Sequence, residues 1–159
     1  MAHIEGPRGI YTAHGAEKMK TPELVFGVAP AQYKKKGNTP PPNVADIALI
    51  QEYGTEKIPP RPAFRRGIEE GLSKNKKLIG AQLKNIAQRI LSGRRDELKR
   101  SLTVMLTQVG KSAKAKTKEI IKTGDETPNA PATVAKKGFD HPLFETGLLL
   151  ESVDYEVKQ

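Results

Sequence analysis

Apolar residues recur along this chain with two different periods, and each period marks a different kind of element. Near the start, Glu23-Leu24-Val25-Phe26-Gly27-Val28-Ala29 is rich in β-prone residues and is bounded by Pro22 and Pro30, which predicts one strand. Near the end, Ser152-Val153-Asp154-Tyr155-Glu156-Val157 alternates strictly between β-prone and polar residues, the mark of a strand with one buried face. Between them the period is helical. Phe64, Ile68, Leu72, Ile79, Leu83, Ile86 and Ile90 predict one long helix or two short ones ending near Gly93, with Gly71 and Gly80 as the weak points. Leu98, Leu102, Met105, Val109 and Ile120 predict another. Asp96 and Glu97 open it and Lys118, Lys122 and Gly124 close it, as the helix dipole favours, and Gly110 is where a kink is expected.

The punctuation between these periods is equally informative. Asn43 is a good N-cap, with Asp46 in the first turn, for a short apolar helix Val44–Tyr53 closed by Gly54; a strand is the competing assignment. From Gly54 to Pro62 the prolines Pro59, Pro60 and Pro62 remove donors and extend their predecessors, so a stiff connector is expected. Tyr33 to Pro42, with three lysines and three prolines, reads as an exposed loop, and Thr123 to Asp140 as a long loop ordered by neighbours. These elements define an α+β class: a small sheet packed against two long amphipathic helices, with an N-terminal arm (1–22) and a single domain (23–159). Within that domain lie a basic helical region (62–122) and a C-terminal helix-strand unit (141–157).

Composition narrows the function. The chain has 159 residues, 36% apolar and 5% aromatic, with no Trp and no Cys, so the core is expected to be thin and aliphatic and disulfides and thiolate chemistry are excluded. No apolar run approaches the roughly 20 residues of a membrane span, and the first residues lack a signal-peptide pattern, so a soluble product is expected. Charge is uneven. Residues 57–122 hold 18 basic and 5 acidic residues (net +13), and residues 123–159 hold 3 and 7 (net −4). A basic block of this kind suits nucleic-acid backbone or an acidic protein surface, and Lys111, Lys114, Lys116 and Lys118 are the candidate contacts. The block contains only one aromatic residue, Phe64, so stacking on bases has no platform and any nucleic-acid contact is expected to be to phosphate, without sequence readout.

Catalytic candidates are few. His3 and His14 lie in the arm, and His141, between Asp140 and Pro142, reads as a turn residue. Glu69-Glu70 and Asp125-Glu126 are adjacent and diverge on a helix, so they read as solvated charge. Gly138-Phe139-Asp140 lacks a phosphate-loop fingerprint. With no nucleophile-base-orienter set, no metal cluster and no cofactor motif, a non-enzymatic role is expected.

Two stretches carry a resemblance. Ala45 to Thr55 (ADIALIQEYGT) followed by Ile58-Pro59-Pro60-Arg61-Pro62-Ala63-Phe64 resembles the EFG…IPARPF signature of tailed-bacteriophage neck and tail-completion proteins. His141 to Val157 (HPLFETGLLLESVDYEV) looks like the same group's PL-x-x-TG-x-L-x-x-SI ending. The match is close over 43–72 and 140–157, and it departs at Ala63, where the group carries a bulky aromatic that Phe64 is expected to replace one position later. The motif residues Gly54, Pro59, Arg61, Pro62, Phe64, Pro142, Thr146, Gly147, Leu149 and Ser152 are read as architecture: turn, rod and cap devices, with Thr146 capping a short helix Gly147–Glu151. The resemblance implies a virion protein of the neck or collar, made in the host cytoplasm. It would form a homo-oligomeric ring between head-side connector or portal-adaptor proteins and tail proteins, around double-stranded DNA. The alternative is a basic, sequence-nonspecific nucleic-acid-binding accessory protein.

Overall fold

A computed structural model describes residues 21–34, 41–94 and 96–159. The arm, up to residue 20, and the centre of the lysine-proline loop, 35–40, lie outside the described residues. Strands β1 (Glu23–Val28) and β2 (Val153–Lys158) pair antiparallel across the whole length of the domain. Their register places Leu24 opposite Val157, Phe26 opposite Tyr155 and Val28 opposite Val153, so the two period-2 patterns share one apolar face. β2 begins one residue later than the alternation suggests, because Ser152 still belongs to a helix; its carbonyl accepts the Ala29 N–H at 2.6 Å.

Helix α1 (Val44–Tyr53) wins over the strand alternative because both its ends are capped. The Asn43 side chain accepts the Ala45 N–H at 3.0 Å, and Gly54, at φ 74°, donates to the Ile50 carbonyl. The next helical stretch divides into α2 (Ala63–Lys74) and α3 (Lys76–Leu91), and the break falls at Asn75, not at Gly71 or Gly80. The Asn75 amide donates to the Gly71 carbonyl at 2.8 Å and to the Ser112 hydroxyl at 2.7 Å, so its side chain satisfies a carbonyl as the helix changes course.

Helix α4 (Asp96–Thr123) has 28 residues, about 42 Å, and runs unbroken through Gly110. That glycine produces no kink; its missing side chain makes room for the Tyr155 ring, whose Cγ would lie 2.7 Å from a Cβ there. Gly67 and Gly71 act likewise on the α2 side. A Cβ on Gly67 would overlap the Thr117 hydroxyl and lie 2.8 Å from the Thr117 backbone, and one on Gly71 would lie 2.9 Å from the Ala113 nitrogen. The long loop expected between Thr123 and Asp140 instead contains α5 (Pro131–Lys137), with Pro131 in its first turn and Gly138 in the left-handed conformation at its end. Helix α6 (Leu148–Ser152) leads into β2.

The architecture is α+β. Of the long helices it is α4 that lies on the sheet, while α2 and α3 pack along α4. One core unites Val44 and Ala48 of α1, Ala63 of α2, Ile120 and Ile121 of α4, Leu149 of α6 and Val153 of β2, with Phe26, Val28, Phe64, Leu143, Leu148 and Leu150 packed around it. α3 contributes nothing to this core, and its one buried residue, Ile86, lies outside it.

The glycines of the α2–α3 stretch therefore differ in sign. Gly67→Ala is expected to destabilise the fold by about 1–3 kcal/mol, because the clash is with α4 backbone that no rotamer change relieves. Gly80→Ala meets open space and is expected to stabilise by about 0.5–1 kcal/mol through helix propensity. Urea unfolding of the two variants measures both.

Candidate functional site

The first motif folds back on itself through backbone geometry. At Gly54 a Cβ would lie 2.7 Å from the Ile58 carbonyl and 2.8 Å from the Pro60 nitrogen, so only glycine at positive φ lets the chain reverse there. The Thr55 hydroxyl accepts the Lys57 and Ile58 N–H groups at 3.3 and 3.1 Å, and Pro59-Pro60 carries the exposed chain back. Arg61 then donates its N–H to the Gln51 carbonyl at 2.6 Å, tying the connector to the last turn of α1.

Two buried charged residues complete this corner. Pro62 stands at the N-cap of α2 and offers no side-chain bond. The cap comes from α1, where the Glu52 carboxylate accepts the Phe64 N–H on one oxygen and the Arg65 N–H on the other, each at 3.0 Å. An anion at a helix N-terminus also complements the helix dipole. The Arg61 guanidinium, 5% exposed, donates to the Thr127 carbonyl (2.6 Å), the Gln51 side chain (2.8 Å) and the Pro128 carbonyl (2.9 Å). Burial pushes Arg61 below its ordinary value while Asp140 and Glu126 act to hold it up. Beside it, Arg66 pairs with Glu126 at 2.7 Å, so Glu126 is a buried partner and not the solvated charge its neighbour Asp125 suggested. Phe64 meets Phe26 edge-on at 6.1 Å and packs against the core, and Ala63 is 1% exposed.

The second motif closes the same region. The Asp140 carboxylate accepts both the backbone and side-chain N–H groups of Asn129, at 3.0 and 2.9 Å. Lys137 donates to the His141 and Phe144 carbonyls at 2.9 and 2.7 Å, so the stretch expected to wait for a partner is stapled by its own chain. His141 is a packed turn residue: its Nε2 lies 3.0 Å from the Ile121 carbonyl and its ring stands over Gly124. Pro142 is buried. Gly147, at φ 80°, is the residue at the N-cap of α6; Thr146 precedes it, and its hydroxyl accepts the Leu148 N–H at 3.3 Å. The cap thus lies one residue later than the Ser/Thr preference suggests. Leu149 and Ser152 are buried, Leu149 in the common core.

The lysines of α4 do not form one surface. Lys114 pairs with Asp154 of β2 at 2.8 Å, a bond that holds the Asp154 carboxyl below the usual range, and Lys118 reaches toward the Glu151 carbonyl at 3.5 Å. Lys116 is held by Glu119 on its own helix (3.1 Å) and by Glu70 of α2 (3.5 Å). Its hydrogen bond to Glu119, more than any other contact, raises its pKa. Lys111 is exposed. Glu70 also lies 3.8 Å from Arg66, so it is engaged, while Glu69 is exposed. The helices carry a further feature, an open cleft of about 380 Å³ between α3 and α4, lined by Gln82, Arg89, Glu97, Arg100, Ser101 and Val104, with an Arg89–Glu97 ion pair in its wall. Among the described residues no three His, Asp or Glu side chains converge as a metal would require, and no helix is long and apolar enough to cross a membrane.

The site is thus an architectural corner of an α+β domain. Comparison of the chain with protein-family models, with curated proteins and with solved structures finds no match. Sequence reasoning singled out Arg61 but missed Glu52, Gln51 and Asn75, each of which bonds a group 10 or more residues away that leaves no local pattern.

Removing either buried charge leaves its partners unpaired. Glu52→Ala is expected to cost about 1–3 kcal/mol by exposing two orphan donors of α2. Arg61→Lys, whose point charge cannot serve three acceptors spread around a planar fork, is expected to lose about 2 kcal/mol. Denaturant titration followed by circular dichroism reads both.

Proposed function

We propose that this chain is a structural subunit of the neck of a tailed bacteriophage. It assembles as a homo-oligomeric ring that joins the DNA-filled head to the tail, with head-side connector or portal-adaptor proteins on one side and tail proteins on the other. It acts by association and not by chemistry. The observation that carries this reading is the convergence of the two stretches that bear the resemblance. They lie some seventy residues apart, yet Val44, Ala48 and Ala63 from the first and Leu149 and Val153 from the second line one core. Two motifs that meet in one core form a single architectural unit, which supports reading them together. The buried ion and cap network at their junction is held by intramolecular partners, which suits a rigid building block.

The basic block fits this role without tight DNA binding. A conduit that gripped each passing phosphate would hold the genome back, and Lys114, Lys116 and Lys118 already have intramolecular contacts. Binding to double-stranded DNA is therefore expected to be weak, independent of sequence, and to fall steeply between about 50 and 200 mM salt. Nanomolar, sequence-specific binding would instead support a nucleic-acid accessory protein.

The decisive experiment is genetic. Phage lacking this protein are expected to accumulate filled heads and free tails, scored by electron microscopy, and the wild-type gene supplied in trans restores joining. Reversal of Lys111, Lys114, Lys116 and Lys118 to Glu is expected to harm joining more than folding, since exposed ion pairs contribute about 0–1 kcal/mol each. Normal particles without the protein would overturn the reading.

A further inference from the structure

Helix α3 carries two apolar stripes, and only one has a partner among the described residues. Ile79 and Ile86 lie toward α4, with Ile86 buried and Ile79 beside Met105 and Val109. Gly80, Leu83, Ala87 and Leu91 recur at three- and four-residue spacing on the adjoining side. All four are exposed, Leu83 at 50% and Leu91 at 88%, and a Cβ on Gly80 would meet nothing within 4 Å. Lys77 and Lys84, both exposed, share the border of this stripe and make no ion pair among the described residues. A fitting partner is a shallow apolar strip with an acidic margin.

The chain itself presents one. The sheet buries its inner face on α4, and its outer face carries Glu23, Val25 and Gly27 of β1 opposite Lys158, Glu156 and Asp154 of β2. Val25 is 40% exposed, and the space over Gly27 is open, so the two form a slot flanked by Glu23, Glu156 and Lys158, with Asp154 at its end already paired to Lys114. The lengths agree: residues 80–91 of a helix span about 16 Å, and a six-residue strand about 20 Å. Since α3 packs on α4 and the outer face points away from α4, the two surfaces cannot meet within one copy.

We propose that the exposed α3 stripe of one copy seats on the outer face of the β1–β2 sheet of another, with Lys84 and Lys77 against Glu156 and Glu23. The contact joins two different patches, which is the heterologous geometry that a closed ring requires, and it adds a second layer to a sheet that the described residues cover on one face only. It rests on the ring reading, because it names the interface such a ring would use.

The test is self-association of the purified full-length chain by light scattering and sedimentation, with circular dichroism as the folding control. Leu83→Asp is expected to weaken association at least tenfold. Lys84→Glu and Glu156→Lys are each expected to weaken it roughly tenfold, the scale of one close interfacial charge contact, and the double reversal to recover most of the loss. Wild-type association that none of these variants changes would overturn this contact and leave the ring reading standing. A wild type that stays monomeric at about millimolar concentration would overturn both. Loss of DNA binding in Lys84→Glu with association intact would assign the lysine border to nucleic acid and likewise overturn the contact.

Discussion

The Glu52 carboxylate at the start of α2 is the interaction on which the remaining geometry depends. Its two oxygens take the first free N–H groups of a helix that has proline at its own N-cap and so cannot cap itself. With its starting point held, α2 has its register against α4 set, and Gly67 and Gly71 fall opposite Thr117 and Ala113. A slip of one residue along α2 would bring a side chain into backbone contact at either place. Arg61 performs the complementary task on the other side of the corner, gathering the end of α1 and the 127–128 backbone onto a single planar cation. Both charges are buried, and each is hydrogen-bonded to two or more partners, which is the condition under which buried charge is tolerated.

From this corner the fold extends along α4, which touches the sheet, α2, α3 and α6. Three glycines mark where its neighbours come closest, two on α2 and one, Gly110, on α4 itself beneath Tyr155. The packing is tight where the two motifs meet and thinner along α3, where Leu78, Leu83 and Leu91 and, across on α4, Val104 remain exposed. A domain so divided has a closely packed base and a helical extension with exposed apolar side chains.

The charge asymmetry read from composition changes meaning in three dimensions. Part of the positive block is spent internally, on Glu126, Asp154, Glu119 and Glu70. What remains outward lies along α3 and the exposed side of α4, while carboxylates of the C-terminal segment and β1 line the outer sheet face. Opposite charges are thereby displayed on separate surfaces of one molecule.

The sequence by itself determined what depends on neighbours in the chain. A β-prone run between prolines marked β1 and period-2 alternation marked β2, Asn43 and Gly54 bounded α1, and the aliphatic spacing with terminal charges delimited α4. Local capping and periodicity act over three or four residues, so they are legible in the string. Only the tertiary structure decided that α2 and α3 part at Asn75, where the side chain is drawn to Ser112, 37 residues away. It also decided that Gly110 is a packing position and not a kink, because Tyr155 supplies the reason. Pro131 and Gly138 in retrospect bound α5, but they sit among so many breakers that the loop reading prevailed. The lysines of α4 looked like one patch because sequence records their charge and not their partners. Their division between β2 and α2 follows from where those elements carry acids, which is a property of the assembled fold.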